Sequence, residues 1–281
     1  MSNIRSVLGG IKRKMLNRPK FATSDVKIGR NVVFGKNVVF NCKRVRIGDG
    51  CVFMNNIKVD SEVFEIGDYG KIHDYCFFPG PGHLKIGHNL FLGMGCVVDS
   101  KGDIEIGNNA GIGAHTQFWT HIVYGDVMYG CRFNSCKKLT IGNDTYFGGN
   151  CLVNPVKIGD RSMIALGSVI TKDTLPDRSY AGVPAIDITE KIGSQFKMTS
   201  VDERMNYLMS KLEEIAKSLN LKNAEAFAAV TTDSNGMKGF DRNITVFNVA
   251  DRTYIKRGTR IEHKVMWCLL PDAKFIPIDC I

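Results

Sequence analysis

The residues in this sequence best suited to chemistry are histidines. There are six, and two of them, His115 and His121, lie six positions apart in GIGAHTQFWTH. Imidazole titrates near ~6.5 in water, so it can take and return a proton near neutrality. A metal-dependent hydratase would need three convergent histidines. A pair spaced by six repeats a face instead of converging, and His73, His83 and His88 sit in no matching motif; we read them as surface or acceptor-side residues and expect no metal. The nine cysteines are odd in number and include no CxxC pair. That pattern points to a reduced, cytoplasmic protein rather than to a disulfide framework.

The element that must position these histidines is an internal repeat. An Ile-Gly pair recurs at Ile28, Ile47, Ile66, Ile86, Ile106, Ile141 and Ile158, with spacings of 19, 19, 20, 20, 35 and 17. A second apolar residue follows each anchor by six: Phe34, Phe53, Ile72, Leu92, Ile112, Phe147 and Ile164. Neither helical periodicity nor strict strand alternation produces a period of six. Three short strands per turn, wound into a triangular coil, do. The apolar residue then points inward, and Gly, Asn or Asp turns each corner. Cys51, Cys76, Cys96 and Cys151 fall four positions after an apolar anchor, which suits small residues packed inside near a corner. The one long spacing inserts Ile122–Lys138 (IVYGDVMYGCRFNSCKK). Its Tyr124 and Arg132 fit a loop that covers a sugar or nucleotide, and equally a contact between subunits.

Hydrophobic residues make up 44% and charged residues 23% of 281, enough for a sizeable core and against wholesale disorder. The net charge of +9 is concentrated: Arg5, Lys12, Arg13, Lys14, Arg18 and Lys20 stand in the first 24 residues with no Asp or Glu. Such a tail suits a solvated segment or a weak contact with an anionic membrane surface; no specific nucleic-acid partner is expected. No apolar run reaches transmembrane length, and the N-terminus lacks the apolar core and cleavage site of a secretion signal.

IGDGC, FLGMGC, IGNNAGIGAH, IGNDTYFGGNC and IGDRSMIALGSVITKD, followed by SVITKDTLPDRSYAGVPA (Ser168–Ala185), resemble the bacterial hexapeptide-repeat sugar acyltransferases over about residues 26–190. The resemblance implies a mainly β fold, a left-handed parallel β-helix, assembled as a homotrimer with its active site between neighbouring prisms. It implies an acyl-CoA donor, acetyl or longer, with no metal. It implies a sugar acceptor, nucleotide-linked or within a finished glycan, in bacterial surface polysaccharide synthesis. Acyl transfer from a thioester needs a base, an oxyanion donor and a slot for the coenzyme. By the resemblance His121 is the base and the Gly149 N–H the oxyanion donor. Ala165, Gly167 and Ser168 would line the pantetheine arm, with Thr171 and Lys172 near the adenine nucleotide. Asp99 matches a sugar-binding aspartate, and His115 is the weaker candidate base or a substrate ligand. Met94 stands near where the family carries an acceptor-side Asn.

Four segments result: a basic tail 1–25, the coil 26–192 with its insertion 122–138, an amphipathic helix within 193–222, and a small α/β module 223–281. The helix opens on a capping box, Ser200 to Glu203, and Met205, Leu208, Leu212, Ile215 and Leu219 follow at helical spacing. It is expected to pack on the prism or on a neighbouring subunit. In the module, Ala-rich 224–230 reads as a short helix, 244–249, 253–256 and 273–278 as strands, and Thr259 to Glu262 as a second capping box. A non-catalytic scaffold is the reading from another class; stabilisation by acetyl-CoA would separate it from an enzyme.

Overall fold

In a computed structural model describing residues 17–233 and 235–278, the isoleucines of the repeat stand directly over one another. Ile28, Ile47, Ile66, Ile86, Ile106, Ile141 and Ile158 pair in register down one parallel sheet. The residues six further on, from Phe34 to Ile164, form the matching ladder of a second sheet. A third ladder runs through Phe21, Phe40 and Val59, and then through Val98, Phe118, Val153 and Ile170. The chain is therefore a left-handed parallel β-helix of three sheets. Sheet A holds eight strands from Lys20–Phe21 to Val169–Ile170, and sheet B seven from Val26–Ile28 to Lys157–Ile158. Sheet C holds nine, starting at Val33–Phe34, and closes with Ala185–Asp187 antiparallel to Ser179–Gly182.

The corners explain the dipeptide. The residue after each Ile-Gly donates its N–H to a side chain one coil ahead: Asp49 to Asp68 (2.7 Å), Asp68 to His88 (2.9 Å), His88 to Asn108 (2.8 Å), Asn108 to Asn143 (2.9 Å). A Cβ on Gly48 would collide with the Asp68 carboxylate, so glycine is required where that bond is made. His88, expected at the surface or on the acceptor side, is thus a rung of this ladder. A second corner, between sheets C and A, is turned by left-handed residues that include Tyr75, Gly95, His115, Asn150 and Gly167.

The interior is rich in phenylalanine at the N-terminal end. Phe40, fully buried, lies among Phe21, Phe34, Phe53 and Phe64, with ring centroids 5.0–6.3 Å away. Phe21 explains why the coil starts at Lys20, six residues before the expected boundary: its ring stacks on Phe40 and covers apolar surface at the end of the prism. Residues 1–16 of the basic tail lie outside the described residues.

The described residues divide into two compact units, 17–197 and 198–278. In the second, strands Ala228–Thr231, Thr245–Asn248, Thr253–Ile255 and Ile276–Ile278 form one sheet with parallel, antiparallel and parallel pairings. The helix Val201–Ser218 carries the expected capping box. It packs on the strand Ala228–Thr231 and on the helix Arg260–Leu269, so it belongs with the C-terminal sheet rather than with the prism. Ala-rich 224–230 gives only a single 3-10 turn, Ala224–Ala226; pairing with Thr245–Asn248 pulls Ala228–Thr231 into a strand against its helical propensity. Thr259 accepts from the Glu262 N–H (3.0 Å). The buried Glu262 carboxylate reaches back past it to the N–H groups of Arg257 (2.6 Å) and Gly258 (3.0 Å). No helix among the described residues is long and apolar enough to cross a membrane.

Candidate functional site

The coil that carries His121 is fixed before the histidine is reached. Gln117–Phe118 pairs with Val97–Val98 on one side and Leu152–Val153 on the other. Trp119 and Thr120 turn the corner from sheet A towards sheet B, and His121–Ile122 leaves the prism as one arm of a hairpin with Ser135–Cys136. The Lys137 N–H closes the hairpin base on the Thr120 carbonyl (2.9 Å). The coil resumes at Leu139, which stacks on Ile104 as though the insertion were absent.

Asp99, fully buried, lies beneath this corner. Its Oδ2 accepts from the Thr120 N–H (2.8 Å) and the Thr120 hydroxyl (2.6 Å) and stands 2.7 Å from His121 Nδ1; its Oδ1 accepts from the Lys101 N–H (3.3 Å). Burial pushes the carboxyl up, but the hydrogen bonds from Thr120, His121 and Lys101 outweigh it and hold Asp99 below the ordinary carboxylate range. An ionised carboxylate only accepts, so the proton of a neutral imidazole is assigned to Nδ1 and the lone pair to Nε2. Nε2 makes no hydrogen bond within the described residues.

Beside His121 is a cavity of about 230 Å³, lined by Trp119, Ile122, Ser135, Lys137, Asn154, Pro155, Val156 and Thr171. Of the residues singled out in the sequence, His121 and Thr171 therefore share one site, with the exposed Lys172 next in the chain. Gly149, Ala165, Gly167 and His115 stand elsewhere, on the edge between sheets C and A, at the opposite end of the sheet A strands from His121. Gly149 has φ +106°, a conformation that favours glycine, and its N–H makes no hydrogen bond within the described residues. Gly167 is exposed, and a Cβ built on it meets nothing within 4 Å. His115 is an exposed corner residue with φ +59°.

One expectation meets a contrary observation. Asp99 is matched by the resemblance to a sugar-binding aspartate, yet it has no exposed surface and its oxygens are taken by Thr120, His121 and Lys101, so this copy does not open it to a ligand. Ser168 is buried, with its hydroxyl donated to the Ala165 carbonyl (2.7 Å), so only its backbone is left for a coenzyme arm. Tyr124 and Arg132 are exposed on the hairpin and do not line the cavity. Trp119, Thr120 and Asn154 were not singled out from the sequence, and Lys137 was only one of the two lysines of the insertion. The repeat held a signal for Thr120: pairing Val98 with Phe118 sets Asp99 under the Trp119–His121 corner.

A family model described as the hexapeptide repeat of succinyl-transferase matches residues 25–61 and 138–172. Among curated proteins, the Bifunctional protein GlmU of Listeria welshimeri is 31% identical over 180 residues, covering 54% of this chain and 37% of its own length. The Galactoside O-acetyltransferase of Escherichia coli is 29% identical over 128 residues, 44% of this chain and 63% of that protein. The chain thus spans well under half the length of the GlmU proteins it matches. Among solved structures, the polysialic acid O-acetyltransferase OatWY aligns over 68% of this chain and 99% of its own, at 20% identity and a TM-score of 0.47. The stacked Ile-Gly ladder agrees with these matches, and over the matched residues the chain is similar to the hexapeptide-repeat proteins.

Proposed function

We propose that the protein is a CoA-dependent acyltransferase that moves an acetyl or related acyl group from acyl-CoA to a hydroxyl or amine of a sugar. The observation that carries this reading is the His121–Asp99 pair, an imidazole held by a buried carboxylate with its other nitrogen unused beside a cavity. His121 Nε2 takes the proton of the acceptor group as its oxygen or nitrogen attacks the thioester carbonyl carbon. The Gly149 N–H faces the developing oxyanion. When the carbon–sulfur bond breaks, the imidazolium returns its proton to the leaving thiolate, and Asp99 stabilises the charge in between.

One copy holds His121 and Gly149 on different edges of the prism, so the reaction needs the Gly149 edge of a second copy. That edge is apolar on its surface: Tyr75, Phe77, Phe91, Met94, Tyr146 and Leu166 flank it and are 37–69% exposed. A contiguous apolar edge of this kind favours self-association, and a closed trimer is the assembly that satisfies every copy. Ala165, Gly167 and Lys172 would then hold the coenzyme arm along the shared groove, with Thr171 at its inner end.

The test is release of free thiol from acetyl-CoA in the presence of sugar acceptors. His121→Ala is expected to lower the rate at least a hundredfold while acetyl-CoA still raises the melting temperature. Wild-type turnover in that variant would remove His121 from the mechanism, and a monomer in sedimentation that still turns over would remove the shared site.

A further inference from the structure

Given the transferase reading, we propose that the acceptor sugar carries an anionic group, a carboxylate or a phosphate, and that Lys137 reads it. Apart from His121, Lys137 is the one ionisable side chain lining the cavity, and no carboxylate lines it. Asp99 is behind the wall, with no exposed surface and its oxygens already engaged. The Lys137 ammonium makes no ion pair among the described residues, whereas that of the adjacent Lys138 is tied to Glu105 at 2.7 Å. The hairpin thus pairs one of two neighbouring lysines and leaves the other, at the cavity lining, without an ion pair among the described residues. A neutral sugar would leave that charge to water. A carboxylate or phosphate would meet it with a charge-assisted hydrogen bond, the stronger kind.

The rest of the lining suits one sugar ring. Trp119 is 40% exposed, and its indole N–H is anchored on Gln117 Oε1 at 3.1 Å, which fixes a flat apolar wall. Ser135, Asn154 and Thr171 supply donors and acceptors for hydroxyl groups. At about 230 Å³ within one copy, the cavity has room for a single sugar ring.

The test uses the full chain, acetyl-CoA and three matched acceptors: methyl glucuronide, methyl glucoside 6-phosphate and methyl glucoside. Thiol release gives kcat and KM, and saturation-transfer NMR gives binding without turnover. One or both anionic glycosides should bind at least about tenfold more tightly than the neutral one, and which of them does distinguishes carboxylate from phosphate. Lys137→Ala should erase that preference through KM, and Lys137→Arg should retain most of it. Equal binding of all three glycosides, or a preference that survives Lys137→Ala, overturns the proposal. Absence of thiol release with every acceptor counts against the transferase reading, while the binding contrast still decides this one.

Discussion

Asp99 separates two accounts of the site, because an acceptor ligand and a histidine-orienting group fail differently when altered. Asp99→Ala leaves His121 Nδ1, the Thr120 N–H and the Thr120 hydroxyl without their common acceptor. A hydrogen bond to a charged group is worth about 1.5–3 kcal/mol. Losing the one that orients and charges His121 should lower kcat by roughly ten- to a hundredfold at constant KM for the acceptor. The two Thr120 donors stranded in the interior should also destabilise the coil by about 2–4 kcal/mol. Asp99→Asn keeps a neutral acceptor but loses the charge and turns an amide towards the Lys101 N–H, so its kcat should fall less, by about tenfold. Thr120→Val removes one Asp99 donor without touching His121 and should affect stability more than rate. The assay is steady-state thiol release with each substrate varied, beside urea unfolding of the same preparations. If Asp99→Ala raised KM for the acceptor and left kcat unchanged, Asp99 would be a sugar ligand and the orienting role would be refuted. Acid adds a second readout. Because the folded state lowers the Asp99 pKa, its stabilisation is full above the unfolded value near ~3.9 and is lost as pH falls through the lower folded value. The stability difference between wild type and Asp99→Asn should therefore shrink in that acid range.

Three further outcomes are expected. Gly149→Ala should lose about 1 kcal/mol or more of stability, since φ is +106° and the new Cβ would lie 3.1 Å from the Ala114 carbonyl; its kcat should fall while acetyl-CoA binding, followed by thermal shift, persists. Phe40→Ala should lower unfolding stability by about 3–5 kcal/mol in urea titration, because the ring is fully buried among four other phenylalanines. Burial raises the Glu262 pKa even against hydrogen bonds from Arg257, Gly258 and Thr245. Its contribution is therefore present below the unfolded value near ~4.3 and lost as pH rises through the higher folded one. Hydrogen-exchange protection of the helix Arg260–Leu269 should fall across that range, and Glu262→Gln should flatten the dependence.

The prism was legible because its cause is periodic: an inward apolar residue every six positions and a glycine after each anchoring isoleucine, as at Gly48, where the next N–H meets a side chain one coil ahead. The place of His121 at the end of a coil was legible, and its environment was not. The contact with Asp99 spans 22 positions and follows only from register, which pairs Val98 with Phe118. Lys137 was legible only as one of the two lysines of the insertion, because a loop lysine carries no periodic mark; the pairing of Lys138 with Glu105 sets it apart. In the C-terminal unit, Ala-rich 224–230 misled because local propensity is weaker than pairing along a strand, and Ala228–Thr231 has a partner in Thr245–Asn248.

The hairpin rooted at His121–Ile122 and Ser135–Cys136 is invisible to the coil, which carries Ile104 straight on to Leu139. Coil and arm are thereby written in separable stretches of chain, so an arm of another length or charge would stand on the same ladder. Under the roles proposed for His121 and Lys137, such an exchange would alter what the cavity accepts and leave the Asp99 support of His121 in place.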